Sequence, residues 1–516
     1  MTLLWAAVIS SLHFQGPVTA DGGDYVTIPF DVPAGTAELR VEHADGGASE
    51  ILDWGVWAPE GFRGWGGGNS EPAVIGVDES SRSYLEGALT PGTWTLVIGK
   101  AKLVGGAGSY DITVTFYDAA TLTPLPRAAF DPVVVRAAPG WYAGDLHVHS
   151  EESGDAAATL PQIATLARDR GLDFVVVTDH NTVSHHGRLA AYQAELTDLL
   201  LVRGIEVTTY GGHGNAIGVS AYVDHRVGLD GVSATTIADA VAAQGGLFSV
   251  NHPTLALGDT CIGCAWVHAD TPWDEVASFE IQTGPYDVTG VLFTPQAIEM
   301  WDGLLDQGYR LAAVGGSDDH RAGMDESGTQ SAIGSPTTMV YADELSEAGV
   351  VAAIRAGHTV VKLRGPDDPM VELEAGRGAD LARVGATVEG PVELRGRVTG
   401  GGIGGTLTFY RNGAPAEAFT VDADPFEVTL AVEPPPGDVD DRFRLELVDG
   451  VPRVVTSHIW VRATGEPIPE DAGAGTDAGV GTPTGGGCSC RAGRRDGGPA
   501  WPLFVGLALL IASRRR

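Results

Sequence analysis

The chain has 516 residues, 43% of them hydrophobic, and its 67 acidic against 32 basic side chains give a formal net charge of −35. That length exceeds what one hydrophobic core fills, so several domains are expected, and a field of that sign argues against DNA or RNA as a partner. Seventy-two glycines and thirty prolines point to turn-rich β modules, while four cysteines in two close pairs exclude a disulfide-built scaffold.

Residues 1–11 hold a short apolar stretch with no basic residue before it. They read either as a truncated signal segment, with Val18-Thr19-Ala20 as a cleavage-like site, or as the lead into a first strand. From 12 to 135, short alternating runs such as Tyr25–Phe30, Trp94–Ile98 and Tyr110–Val114 are separated by Gly, Pro and Asp, the pattern of an antiparallel β-sandwich. Within it, Arg63-Gly64-Trp65-Gly66-Gly67-Gly68 reads as a turn-rich loop, because no helical period follows to make it a phosphate cradle.

The period changes between 140 and 365. Strand-like runs (171–178, 246–250, 279–282 and 311–316) alternate with helical stretches at 159–170, 187–199, 234–244, 294–307 and 344–356. Repeated βα units with continuous apolar strands predict a parallel sheet, and some 220 residues of them predict a closed α/β barrel. From 370 to 463 clean alternation returns, as in Val392–Val398 and Phe443–Leu447, and predicts a second β-sandwich. A Gly/Ala/Asp/Pro/Thr-rich linker spans 464–487. Residues 488–516 then carry Cys488-Ser-Cys490, an apolar run from Trp501 to Ala512 that is short for a bilayer span, and terminal Arg514-Arg515-Arg516. Under the positive-inside rule those arginines lie on the cytoplasmic side and the bulk of the chain outside.

Ten of the fourteen histidines fall between His147 and His320, and their placement matters more than their number. His147 and His149 alternate on one strand and so face the same way. His180 closes the 171–178 strand, Glu206 ends another and His213 follows it. His252 closes the 246–250 strand, and Asp318 and His320 close the last. In an α/β barrel such strand ends converge on one mouth. A lone histidine at a strand end is usually structural, and Asp179 or Asp173 suits a helix cap. Five strand ends delivering imidazole and carboxylate to one face are a different matter, because such groups are costly to bury unless paired or metal-bound. Open imidazole and carboxylate sites favour Lewis-acid catalysis over structural zinc, with a metal-bound hydroxide as nucleophile. His185, His186 and Glu280 are further candidates to line the pocket, Arg321, Lys362 and Arg364 to bind an anion. Cys261 and Cys264 read as a local disulfide or, with His268, as a metal site.

Asp145-Leu-His-Val-His-Ser150, Thr178-Asp-His-Asn181, Asn251-His-Pro253 and Gly316-Ser-Asp-Asp-His320 together resemble the motifs of the PHP (polymerase and histidinol phosphatase) superfamily, most closely its CehA/McbA-like branch, over about residues 144–365. The resemblance implies a distorted (β/α)7 barrel with two or three divalent ions, zinc, manganese or iron. It implies a first metal on His147, His149, Glu206 and Asp318, a second on Glu206, His213 and His252, and a third on Asp155, His180 and His320. At the Asp155 position Glu151 or Glu152 would also serve, and Asp179 would orient a ligand from behind or cap a helix. The implied activity is hydrolysis of a small phosphoester, with carboxyl or carbamate esters as the alternative on the same site and a catalytically silent surface binding protein as a third. The tail resembles the Cys-containing C-terminal sorting tags of myxobacterial surface proteins, which implies export, a processing protease near the cysteines and anchoring at the cell surface or outer membrane.

Overall fold

A computed structural model describes residues 6–45, 50–324, 332–377, 380–437 and 439–464. The linker from 465 and the 488–516 tag lie outside the described residues. Within them, no helix is long and apolar enough to cross a membrane. The architecture is multidomain and strand-rich, with five α-helices among the described residues.

The N-terminal region folds as two four-stranded antiparallel sheets. One runs in the order Val8–Thr19, Ala107–Tyr117, Glu38–Asp45, Ala73–Gly76. The other runs Tyr25–Val32, Gly92–Lys102, Ile51–Ala58, Gly61–Gly67. Alternation drives this: in Tyr25–Val32 the residues Tyr25, Ile28, Phe30 and Val32 are buried and those between them mostly are not. Ile28, Phe30 and Val32 join Leu39, Trp54, Trp94, Ile98 and Phe116 in one core, each large side chain contributing roughly 1.5–3 kcal/mol of burial. Two expectations change here. The first strand begins at Val8 and pairs through Thr19, so residues 8–11 belong to the sheet and Val18 is buried. The glycine run is a strand, Gly61–Gly67, not a loop. Its glycines admit a close neighbour: a Cβ on Gly64, at φ +152°, would collide with the Tyr84 ring.

The central region places seven strands side by side in chain order: Gly140–Val148, Phe174–Val177, Leu200–Thr209, Gly212–Ile217, Leu247–Val250, Val276–Thr283 and Ala312–Gly316. Four of the six pairings are parallel, as expected. The two involving Gly212–Ile217 are antiparallel, so the sheet is mixed. Tyr210-Gly211 makes a tight hairpin, with Gly212 at φ +150°. Residues 140–144 also pair with Thr337–Ala342. At the other end of that strand, Asp318 N–H donates to His147 O and His149 N–H to Asp319 O, both at 2.9 Å. The helices Leu160–Asp169, Ala234–Ala243, Val291–Asp306 and Glu347–Arg355 fall close to the expected spans, whereas Ser184–Gln193 starts before the expected 187 and stops well short of 199. The first is closed by a reciprocal Thr159–Gln162 capping box.

In the C-terminal region one sheet holds Asp380–Arg383, Met370–Arg377, Val392–Thr399 and Phe426–Val432. The facing strands extend the central sheet, because Val451–Thr456 pairs with Thr359–Lys362. The expected second sandwich thus shares a sheet with the central region, which covers an edge strand whose backbone would otherwise stay unpaired.

Candidate metal centre

Main-chain geometry brings the candidate side chains together at one end of the central sheet. His147 and His149 leave the end of the Gly140–Val148 strand on one face, and Glu206 sits beside them near the end of Leu200–Thr209. The hairpin explains His213: an antiparallel strand starts where its predecessor ends, so this residue reaches the same end without a crossover. Asn181, His252 and Asp318 have φ of 51°, 25° and 56°, a costly region for non-glycine residues, and one where functional sites commonly hold their side chains.

Glu206 is the hub. Its Oε1 lies 3.3 Å from His147 Nε2, 3.2 Å from His252 Nε2 and 3.4 Å from His213 Nδ1, and its Oε2 lies 2.8 Å from His180 Nδ1. Asp318 Oδ1 is 3.3 Å from His147 Nε2 and 3.2 Å from His149 Nε2. Asp155 Oδ2 is 3.6 Å from His180 Nε2 and 3.5 Å from His320 Nε2. Four groups have ligand atoms within 4.8 Å of one another: His147, His149 and Asp318; His147, Glu206 and His252; His149, His180 and His320; and His213, His252 and Cys264. Eight of the nine ligand candidates fall in these groups, Asp155 touches His180 and His320 from outside them, and His149 also reaches the outer group. Glu152 is committed elsewhere: its Oε2 accepts from Ser83 N–H at 3.1 Å and from Ser184 at 2.7 Å.

The outward ring nitrogens are tied to fixed partners. His147 Nδ1 faces Glu280 at 3.4 Å, His149 Nδ1 faces Ser153 Oγ at 3.0 Å, and His252 Nδ1 donates to Cys264 O at 3.2 Å. His213 Nε2 donates to Ile262 O at 3.1 Å, and His320 Nδ1 to Asp318 O at 2.8 Å. Each such bond fixes the tautomer that turns a lone pair inward. Correspondingly, His147 Nε2 and His149 Nε2 are buried without a hydrogen-bond partner, a loss of about 1–3 kcal/mol each unless an ion takes the lone pair. Imidazole and carboxylate together suit zinc, manganese or iron, so the residues fit such ions.

The electrostatics point the same way. Burial would raise Glu206, yet the His147, His180 and His213 imidazoles hold it well below the usual carboxylate range. His147 rises well above its ordinary value, burial being outweighed by Glu206, Asp318 and Glu280. His149 falls to about 3 through burial and the charges of His320 and His180. The carboxylates demand positive charge that protons on adjacent rings supply unevenly, and divalent ions would supply it to all.

Behind the ligands, Asp179 accepts from Ser150 N–H and Oγ, both at 2.6 Å, and from Ser153 Oγ at 3.0 Å. It braces the His149 partner and caps no helix, since Val183 precedes Ser184–Gln193 without a side-chain cap. Glu280 Oε2 accepts from His252 N–H at 2.7 Å, and Asn251 Nδ2 donates to Glu206 Oε1 at 3.0 Å. Sequence alone assigns no role to Asn251, Ser150 or Ser153, although Ser150 and Asn251 lie inside the PHP-like motifs and Ser153 lies in the loop before Asp155. His185 is buried behind the site, its Nδ1 3.1 Å from Asp179, and His186 beside it is half-buried, its Nε2 3.3 Å from Gly204 O. Lys362 and Arg364 are engaged by Pro366 O and Asp287. Cys261 and Cys264 are disulfide-bonded, and His268 faces Thr209 Oγ1 at 2.7 Å.

No known family model matches the chain, and no curated protein matches it. Solved structures similar to it include a two-domain Bacteroides vulgatus protein described as containing a predicted PHP-like metal-dependent phosphoesterase. That alignment covers 66% of this chain and 99% of the other, at 20% identity and a TM-score of 0.36. A Bifidobacterium adolescentis protein, described as a candidate metal-dependent phosphoesterase, aligns over 36% of this chain and 92% of its own, at 15% identity and a TM-score of 0.25.

Proposed function

We propose that the chain is a metal-dependent hydrolase of the PHP superfamily, close to its CehA/McbA-like branch, that cleaves a small phosphoester at a trinuclear site. The observation that carries this reading is the pair of buried, unpartnered Nε2 atoms on His147 and His149, facing Glu206 and Asp318. The return of residues 318–319 to the end of the first strand supports a distorted seven-stranded barrel. Divalent ions bound here would acidify water and polarise the scissile group.

The protein's own part is to hold that chemistry in place. Glu206 faces two subsites with its two oxygens, the outward ring partners fix which nitrogen each histidine presents, and Asp155, His180, Asp318 and His320 reach the open cavity. Export and surface anchoring are supported by the composition of the 488–516 tail. One observation favours carboxyl or carbamate esters as a second reading: among the described residues lining the cavity there is no Lys or Arg to neutralise a doubly charged phosphate.

Metal content and turnover on phosphomonoesters, phosphodiesters and aryl esters test both readings. The expected result is bound divalent metal and hydrolysis that disappear together on chelation and return on reloading. Full activity in metal-free protein would overturn the proposal.

A further inference from the structure

The loop that carries Asp155 is closed at its base by the central region. Glu151 N–H donates to Ala158 O at 2.7 Å and Ala157 N–H to His320 O at 3.0 Å. Between those bonds the chain turns on itself, Ser153 N–H donating to Ser150 O at 3.0 Å and Ala156 N–H to Ser153 O at 3.2 Å. The Asp155 carboxylate is 62% exposed, so burial does not fix it.

The N-terminal region brackets this residue instead. Before it, Ser83 Oγ donates to Glu152 O at 2.6 Å and Ser83 N–H to Glu152 Oε2 at 3.1 Å. After it, Arg82 Nη1 donates to Ala156 O at 3.1 Å, while Arg82 Nε is held by Glu71 Oε2 at 2.9 Å. Next to it, a Cβ on Gly154 would lie 2.6 Å from Gly66 O, a backbone approach that glycine permits. Ser83 also reaches the loop of a second outer ligand, its O accepting from Thr182 Oγ1 at 3.1 Å, two residues past His180.

Ser83 is buried and holds φ +71°. That region is costly for a non-glycine residue and persists where the surroundings over-determine it. Here the surroundings are the two loops that deliver Asp155 and His180. Glu152 closes the junction: its Oε2 also accepts from Ser184 at 2.7 Å, and Arg188 lies 2.5 Å from its Oε1. This carboxylate is thus taken up between the two regions rather than at the metal centre.

Resting on the trinuclear reading, we propose that the Arg82-Ser83 turn is a positioning element of the metal centre, which places Asp155 for the outer ion. The outer subsite is then built by two regions of the chain, and the N-terminal sheets are part of the enzyme rather than an appended binding module. A loop with a free tip must be ordered each time the ion binds, and clamps on both sides of Asp155 remove that cost beforehand. The inner donors sit at strand ends and do not depend on the turn.

The test uses the full chain, first metal-free and then titrated with zinc by calorimetry, with bound metal counted after desalting. Ser83→Gly suits the left-handed backbone and removes the hydroxyl, while Arg82→Met removes the donors and keeps the stem. Together they should weaken one equivalent of zinc by about 10- to 100-fold and leave the others unchanged. In the metal-free protein the Ser153 and Ala156 amides should lose protection against hydrogen exchange. Ser83→Gly with Arg82→Lys, which keeps a donor for Ala156 O, should recover part of both losses. Thr93→Ala, whose hydroxyl bonds Asp31 within the same sheets, should change neither. A third equivalent held at full affinity by the double variant would overturn the inference. So would weakening of all equivalents in step with the denaturant midpoint, which is the mark of a merely structural role. A wild-type chain that binds two equivalents at most would instead contradict the trinuclear reading on which the inference rests.

Discussion

The inner and outer halves of the ligand cluster are held in different ways. His147, His149 and Glu206 are 0–1% exposed, and each has a fixed second partner behind it: Glu280, Ser153 and Asn251. His180, His320 and Asp155 have side chains 22%, 12% and 62% exposed, and Asp155 rides on the loop after the first strand. A desolvated, prearranged donor set binds tightly because no reorganisation remains to be made. An exposed carboxylate on a loop competes with water. The inner subsites should therefore retain their ions, and the outer one should exchange.

The sharpest way to break this contrast is Glu206→Gln. Removing the charge shared by two subsites should cost about three orders of magnitude in kcat and release metal from the inner subsites, measurable by elemental analysis after desalting. A variant that keeps its full metal complement would show that the hub is not Glu206.

Asp155→Asn should cost about 10- to 100-fold in outer-subsite affinity while leaving the inner ions in place, read as loss of a single equivalent of metal. Loss of all metal would erase the distinction between halves.

Replacing both Cys261 and Cys264 by Ser loosens the loop whose Ile262 and Cys264 carbonyls orient His213 and His252. Weakened metal binding, up to about tenfold, should be confined to the subsite those histidines share.

The smallest effect on the centre should come from Glu79→Gln. Glu79 accepts from Arg127 at 2.6 and 2.7 Å and Arg188 lies 3.2 Å away, which ties the N-terminal sheets to the helix beside the Asp155 loop. Burial would raise its carboxyl, but Arg127 and the Leu125 and Ser80 amides bring it down from 4.5 to about 2. A depressed carboxylate stabilises the fold above the unfolded value and loses that contribution as pH falls toward the folded one. The variant should therefore be about 3 kcal/mol less stable near neutral pH, with the gap closing between pH 4.5 and 2, as read from denaturant midpoints.

Much of the ligand set was legible because strand-end position and alternation are local properties. His147 and His149 sit two apart on a strand, and Thr178-Asp179-His180 closes an apolar run. What was not legible depends on contacts distant in sequence. Gly211-Gly212 could equally begin a crossover or a hairpin, and only the pairing of Leu200–Thr209 with Gly212–Ile217 decides it. The glycine run at 61–67 lacks the side-chain alternation that marks a strand, yet it is one because Tyr84 and Gly154 press against it. Asn251, Ser150 and Ser153 have no distinguishing pattern until folding sets them behind Glu206, Asp179 and His149.

The most direct test of the central claim is anomalous diffraction from crystals of the metal-loaded protein, collected on both sides of the metal's absorption edge. The expected result is strong peaks among His147, His149, Glu206 and Asp318 and among Glu206, His213 and His252, with a weaker one among Asp155, His180 and His320. An anomalous map with no peak at any of these positions in protein that still hydrolyses esters would contradict it.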